Sequence, residues 1–143
     1  MNTQHTSGDH TSHVPQWLEP HREVYPFEPR YTQVNGHRMG YVDVAPSASS
    51  GVEATGALMT PTVMIHGNPT WSLYYRGVID AVSAAGGRAL APDHIGCGLS
   101  DKPSEREYDY TLSRRVSDLE AWFEAVGLSE ERVNLIVHDW GGM

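Results

Sequence analysis

Residues 133 to 137, Val-Asn-Leu-Ile-Val, run without a break into His138-Asp139-Trp140-Gly141-Gly142. The apolar run reads as a short buried strand. Paired glycines after the following dipeptide allow a sharp turn into a helix. A turn of this kind pushes its central side chain out at the carboxyl end of a parallel sheet and aims the next backbone N–H at the same spot. The residue so exposed is Asp139. Taken alone, an aspartate at a strand end also suits the cap of the next helix.

A second segment has the same character. Thr62-Val63-Met64-Ile65 is apolar and leads into His66-Gly67-Asn68-Pro69-Thr70-Trp71-Ser72. Helical spacing follows over residues 73 to 85, with Leu73, Tyr74, Val78, Ile79 and Val82 on one stripe and Gly86-Gly87 as the stop signal. Residues 88 to 93 predict a third strand, with Pro92 confined to its end. Thr111 fits the cap of a helix whose Leu112, Val116, Leu119, Trp122, Phe123 and Val126 form an apolar stripe closed by Gly127. The order is β-α-β-α-β, which favours a parallel sheet covered by helices on both faces.

Upstream, residues 1 to 24 are expected to form a flexible leader, since the first twenty are rich in Thr, Ser, His, Gly and Gln. The domain proper is expected to span residues 25 to 143. Residues 31 to 34 and 38 to 44, separated by Asn35-Gly36-His37, predict a β-hairpin at the antiparallel edge of the sheet. Residues 46 to 60 predict a flexible loop, longer than the connection requires.

Three motifs in order carry a resemblance: His66-Gly67-Asn68-Pro69-Thr70-Trp71-Ser72, then Pro92-Asp93-His94-Ile95-Gly96-Cys97-Gly98-Leu99-Ser100-Asp101-Lys102-Pro103, then His138-Asp139-Trp140-Gly141-Gly142. Together they resemble haloalkane dehalogenases of the α/β-hydrolase fold, from about Tyr25 to the last residue. The resemblance implies an α/β fold of which this chain is the amino-terminal half: an edge hairpin, then the parallel sheet, ending at the nucleophile elbow. It implies Asp139 as a nucleophile that attacks a saturated carbon and forms an alkyl ester. A carboxylate is ionised at neutral pH and needs no base for that step. The Asn68 amide and the Trp140 indole N–H would hold the departing anion, and the backbone N–H groups of Asn68 and Trp140 would form the oxyanion hole.

Hydrolysis of the ester also needs a histidine and an acid. The resemblance puts both on later strands, and the helical cap beyond as well, so the chain is expected to be inactive and aggregation-prone if made alone. His138 adjoins the nucleophile on one strand and is expected to pack instead, as is His66. Several relatives share an Asp elbow. Epoxide hydrolases resemble the chain at 138–143, but their loop usually has an aromatic residue where Asn68 stands. A branch implicated in bacterial olefin synthesis, where a β-lactone loses carbon dioxide, resembles it at Tyr74-Tyr75-Arg76, at 93–103 and at Gly142-Met143. A truncated, non-catalytic product is the remaining alternative. Val137, two before the nucleophile, departs from the glycine that serine hydrolases favour there.

The net charge of −8 disfavours nucleic acid and anionic membrane as partners. A small apolar substrate, haloalkane or β-lactone, is the expected ligand. The single cysteine, Cys97, excludes an intramolecular disulfide, and nothing in its loop marks it for activation. His5, His10 and His13 lack a framed set of metal-ligating partners, so neither metal nor cofactor is expected. No run is apolar and long enough to span a membrane, and no signal-peptide core is visible, which makes cytoplasm the expected location. Gly96 and Gly98 do not complete a dinucleotide fingerprint, because Asp101 takes the third glycine's place.

Overall fold

The computed structural model describes residues 11–47 and 55–143. Six strands form one sheet: β1 (Thr11–Ser12), β2 (Arg30–Val34), β3 (His37–Val44), β4 (Thr62–Ile65), β5 (Ala89–Pro92) and β6 (Asn134–Val137), in the spatial order β1-β2-β3-β5-β4-β6. β4 runs parallel to both β5 and β6, while β1, β2 and β3 add antiparallel strands at one side. The expected hairpin is present with a tighter turn. His37 pairs with Val34, leaving Asn35 and Gly36 at φ 47° and 88° as a two-residue connection.

Two helices cover opposite faces, as alternation along the strands requires. Helix α1 (Arg76–Ala84) buries Ile79 with Met64, Ala89, Ala91 and Val42. Helix α2 (Leu112–Ala125) buries Trp122 with Val63, Ile65, Leu90 and Tyr41. Trp122 is fully buried and meets the Tyr41 ring edge-on at 5.6 Å. An aromatic side chain so placed contributes about 3–5 kcal/mol relative to alanine. Residues Ser72–Tyr75 form a 3-10 turn ahead of α1, so the helical spacing at 73–85 spans two kinds of helix.

Four expectations need correction. Residues 11–24 do not stand apart from the domain: Thr11 pairs with Tyr31, Leu18 is buried in the core, and the Trp17 ring lies 5.9 Å from that of Trp71. Residues 1–10, with His5 and His10, lie outside the described residues. The segment 46–60 is tied down at its end, where Gly56–Met59 form a 3-10 turn and Asn134 Nδ2 donates to Ala57 O at 2.6 Å and Thr60 O at 3.2 Å; residues 48–54 lie outside the described residues. On α2 the buried positions are Arg115, Asp118 and Trp122, and Val116 is exposed, because the face that meets the sheet is rotated from the purely apolar stripe. β6 is not buried on both faces: Leu135 and Val137 are 55% and 45% exposed, since β6 is the last strand in the sheet and no described element covers that face.

Candidate active site

Two loops leave the carboxyl ends of neighbouring parallel strands and meet. Ile65 lies opposite Val137 in the β4–β6 register, and His138 N donates to Ile65 O at 3.3 Å, so residues 66–68 and 138–140 continue side by side. The backbone bends at Asp139, whose φ is 52°. That left-handed conformation costs a non-glycine residue on the order of 1 kcal/mol and is best tolerated by Asp and Asn. Gly141 N then donates to His138 O at 3.0 Å, closing a 3-10 turn over Asp139–Gly142.

Two glycines make the bend possible. A Cβ on Gly141 would collide with the carbonyl of Ile65, and one on Gly67 would lie 2.5 Å from the Asp139 Cβ. The loops therefore touch backbone to backbone, and Asp139 is thrust outward.

Asp139 Oδ2 accepts the Asn68 backbone N–H at 3.0 Å. This bond, followed by the N–H of Trp140, holds the carboxyl below the usual carboxylate range. The carboxylate is exposed and ionised at neutral pH. Asn68 is also exposed, and its side-chain Oδ1 accepts from Arg115 Nη1 at 3.0 Å. A guanidinium carries donors alone, so the amide oxygen must face it and the NH2 group points elsewhere. The Arg115 guanidinium also lies over the half-exposed Trp140 ring, 5.8 Å from its centroid. Thus Asn68, Asp139 and Trp140 come together around one exposed spot.

Beneath that spot lies a buried polar floor. His94 N donates to His66 Nε2 at 2.9 Å, so His66 must carry its proton on Nδ1, which meets Gly67 O at 2.7 Å. His94 Nε2 in turn donates to His66 O at 3.0 Å. His66 is neutral by this pattern, and burial pushes both rings down, to about 4 for His66 and about 3 for His94. Asp93 is fully buried and accepts Ser72 N at 2.6 Å and Leu99 N at 2.8 Å. Burial raises its carboxyl to about 6 despite those two bonds. Tyr25 completes the clamp with a 2.7 Å bond to Ser72 Oγ.

His138 stacks on Tyr74 at 4.8 Å. Burial pushes the Cys97 thiol up, the direction opposite to activation. The sequence reading missed Arg115, Asp93 and His94 as supports of the site. For Arg115 a signal exists: positions 115, 118 and 122 share one helical face with a fully buried tryptophan, so a charged residue stands where the core is expected.

A family described as alpha/beta hydrolase fold matches residues 60–143. A cis-3-alkyl-4-alkyloxetan-2-one decarboxylase from Shewanella oneidensis is 43% identical over 120 residues, covering 84% of this chain and 33% of that protein. Haloalkane dehalogenase 1 from Mycobacterium tuberculosis is 44% identical over 123 residues, covering 86% of this chain and 38% of that protein. The chain thus spans about a third of the length of the curated relatives it matches. Among solved structures, the haloalkane dehalogenase DatA from Agrobacterium tumefaciens superposes with a TM-score of 0.62 at 30% identity, covering 79% of this chain and 33% of that one. An epoxide hydrolase from Vigna radiata gives 0.64 at 30% identity, covering 80% and 31%. The chain resembles proteins named for dehalogenation, lactone decarboxylation and epoxide hydrolysis, and it belongs to the α/β hydrolase fold family.

Proposed function

We propose that Asp139 is the nucleophile of an enzyme that displaces an anionic leaving group from a saturated carbon. The observation that carries this is the 3.0 Å bond from Asn68 N to Asp139 Oδ2 at a left-handed elbow. With Oδ2 held, Oδ1 attacks the carbon. A C–O ester bond forms, the carbon–leaving-group bond breaks, and its electron pair departs with the anion. The Asn68 amide NH2 and the Trp140 indole N–H are the neutral donors that receive that charge. In the ester, Oδ2 becomes the carbonyl oxygen. The N–H groups that steady it in the resting carboxylate then stand where an oxyanion develops when water attacks.

With a haloalkane, the anion is halide, and the ester must be hydrolysed by a base-activated water. The histidines nearest the elbow are not placed for that work: His138 stacks on Tyr74, and His66 and His94 are buried, with both His66 ring nitrogens and His94 Nε2 bonded to backbone.

A second reading is favoured by the cation at Arg115 and by the likeness to the oxetan-2-one decarboxylase. With a β-lactone, attack at the ring carbon bearing oxygen opens the ring and frees a carboxylate on the same molecule. That carboxylate leaves as carbon dioxide, its C–C electron pair becomes the alkene, and Asp139 is expelled unchanged. No water is consumed. An epoxide would leave an alkoxide that needs a proton, which neither Asn68 nor Trp140 supplies.

Assaying the full gene product with a bromoalkane, a cis-3,4-dialkyl β-lactone and an epoxide separates the three. Free bromide at steady turnover supports the first, and olefin without bromide supports the second. Diol from the epoxide alone overturns the leaving-anion role given to Asn68 and Trp140, and no product from any of them with folded protein removes the displacement mechanism.

A further inference from the structure

Arg115 is a buried charge with no carboxylate partner. It is 8% exposed, its Nε has no hydrogen-bond partner, and among the described residues none of the ion pairs includes it. Its neighbour Arg114 does pair, with Asp118 at 3.1 Å. A guanidinium withdrawn from water without a counter-ion is costly, and such groups persist where an anion or a mechanism uses them. Among the described residues, the one hydrogen bond of the Arg115 side chain goes to Asn68 Oδ1 at 3.0 Å, and its face covers the Trp140 ring at 5.8 Å. It therefore touches both side chains that flank Asp139, and carries the only full positive charge in contact with either among the described residues.

We propose that Arg115 sets the leaving-group preference of this site toward carboxylate. This rests on Asp139, Asn68 and Trp140 forming the reacting site, and it names the anion that site is built to receive. Arg115 acts in two ways. It fixes the rotation of the Asn68 amide so that NH2 is presented to the anion. It also supplies a charge whose planar fork matches two carboxylate oxygens and gains less from a spherical halide. A halide is served by the neutral donors alone, and the added cation is then an unreturned desolvation cost. A ring-opened β-lactone, whose anion is a carboxylate, makes use of it.

The test is anion binding to the full gene product, followed by nitrogen–proton correlation spectra of the Trp140 indole and the Asn68 side-chain amide. Sodium propionate and sodium bromide serve as probes at constant ionic strength. The expected result is tighter binding of propionate, with both anions moving the two signals. In Arg115→Met, propionate affinity falls about tenfold or more while bromide falls about threefold or less. Arg115→Lys keeps the charge without the fork and recovers part of the preference, which also serves as the readout should Arg115→Met fail to fold. A change in overall stability moves both affinities together and leaves their ratio unchanged. Equal affinities in the parent protein, a preference for bromide, or an unchanged ratio in the folded variants overturns the role of Arg115 alone. If neither anion moves the Trp140 and Asn68 signals of the parent protein, the site reading beneath it fails instead.

Discussion

The rim of the site and the floor beneath it are built on opposite terms. On the rim, Asn68, Asp139 and Trp140 are exposed. On the floor, His66, Asp93, His94 and Arg115 are all less than 9% exposed, and every one gives or takes a hydrogen bond from a loop that leads to the rim. Exposed side chains on strand ends are ordinarily free to sample rotamers. Here their backbone is fixed from below by buried, hydrogen-bonded polar groups. The rim can therefore carry chemistry at little cost to stability, while His66, Asp93 and His94 carry stability at no direct gain in chemistry.

The largest expected effect tests the rim. Asp139→Asn keeps the shape and the tolerance for left-handed backbone but removes the anionic nucleophile. Turnover by the full gene product should drop at least about a thousandfold, which corresponds to about 4 kcal/mol in the barrier. The thermal midpoint should move by no more than about 2 °C, because an exposed isosteric change leaves the packing intact. A fall in the midpoint of more than about 5 °C with activity retained would mean that the elbow is a structural cap, and the division between rim and floor would collapse.

The next effect belongs to the floor and is read by pH. His66 and His94 are held well below their ordinary value of 6.5, so the unfolded chain binds protons there that the folded chain refuses. Their contribution is complete above pH 6.5 and is lost as pH falls toward about 4 and about 3. Asp93 works in the other sense. Its carboxyl is raised from 3.8 to about 6, so its protonated form favours folding, and that contribution is lost as pH rises from 3.8 through 6. Between pH 6 and 4, two protons taken up by the histidines on unfolding outweigh one given up by Asp93. Stability should therefore fall on acidification by about 1.4 kcal/mol per pH unit in this window. Denaturant melts at pH 7, 6, 5 and 4 measure the slope. A flat profile would show that the histidines are not held neutral. In Asp93→Asn the opposing term disappears and the slope should steepen toward about twice that value. The variant should also be weaker at pH 7, since one amide hydrogen would face the N–H of Ser72 or Leu99.

The rim was far more legible in the sequence than the floor. Apolar runs ending in Asn68 and Asp139, each followed by turn-forming residues, announce strand-to-loop corners from local pattern alone. The parallel arrangement of β4, β5 and β6 follows from the same alternation. The floor depends on contacts between residues distant along the chain, such as His66 with His94 and Arg115 with Asn68. No local periodicity marks these pairs. Arg115 was hidden by an apolar stripe drawn through Val116, one position away and on the exposed side of α2. Leu18 was missed for a related reason: the few apolar residues of a polar leader, Val14, Trp17 and Leu18, are too short a run to mark a strand or helix, yet Leu18 is almost wholly buried.

The smallest expected effect sharpens the comparison at its weakest joint. Thr111 caps α2, its Oγ1 accepting Arg114 N at 3.3 Å, and Arg115 follows within the first turn. Thr111→Ala should cost about 1 kcal/mol, the usual worth of an N-cap hydroxyl, and lower the thermal midpoint by about 3–5 °C. Anion affinity should change by less than about threefold, which is below 1 kcal/mol. The reason is that Arg115 keeps two other anchors: its backbone N–H still donates to Thr111 O at 3.1 Å, and the helix is pinned to the sheet by the buried Trp122 two turns on. A tenfold loss of affinity at so small a stability cost would show that fraying of this first turn reaches Asn68, and that the floor bends with the rim it supports.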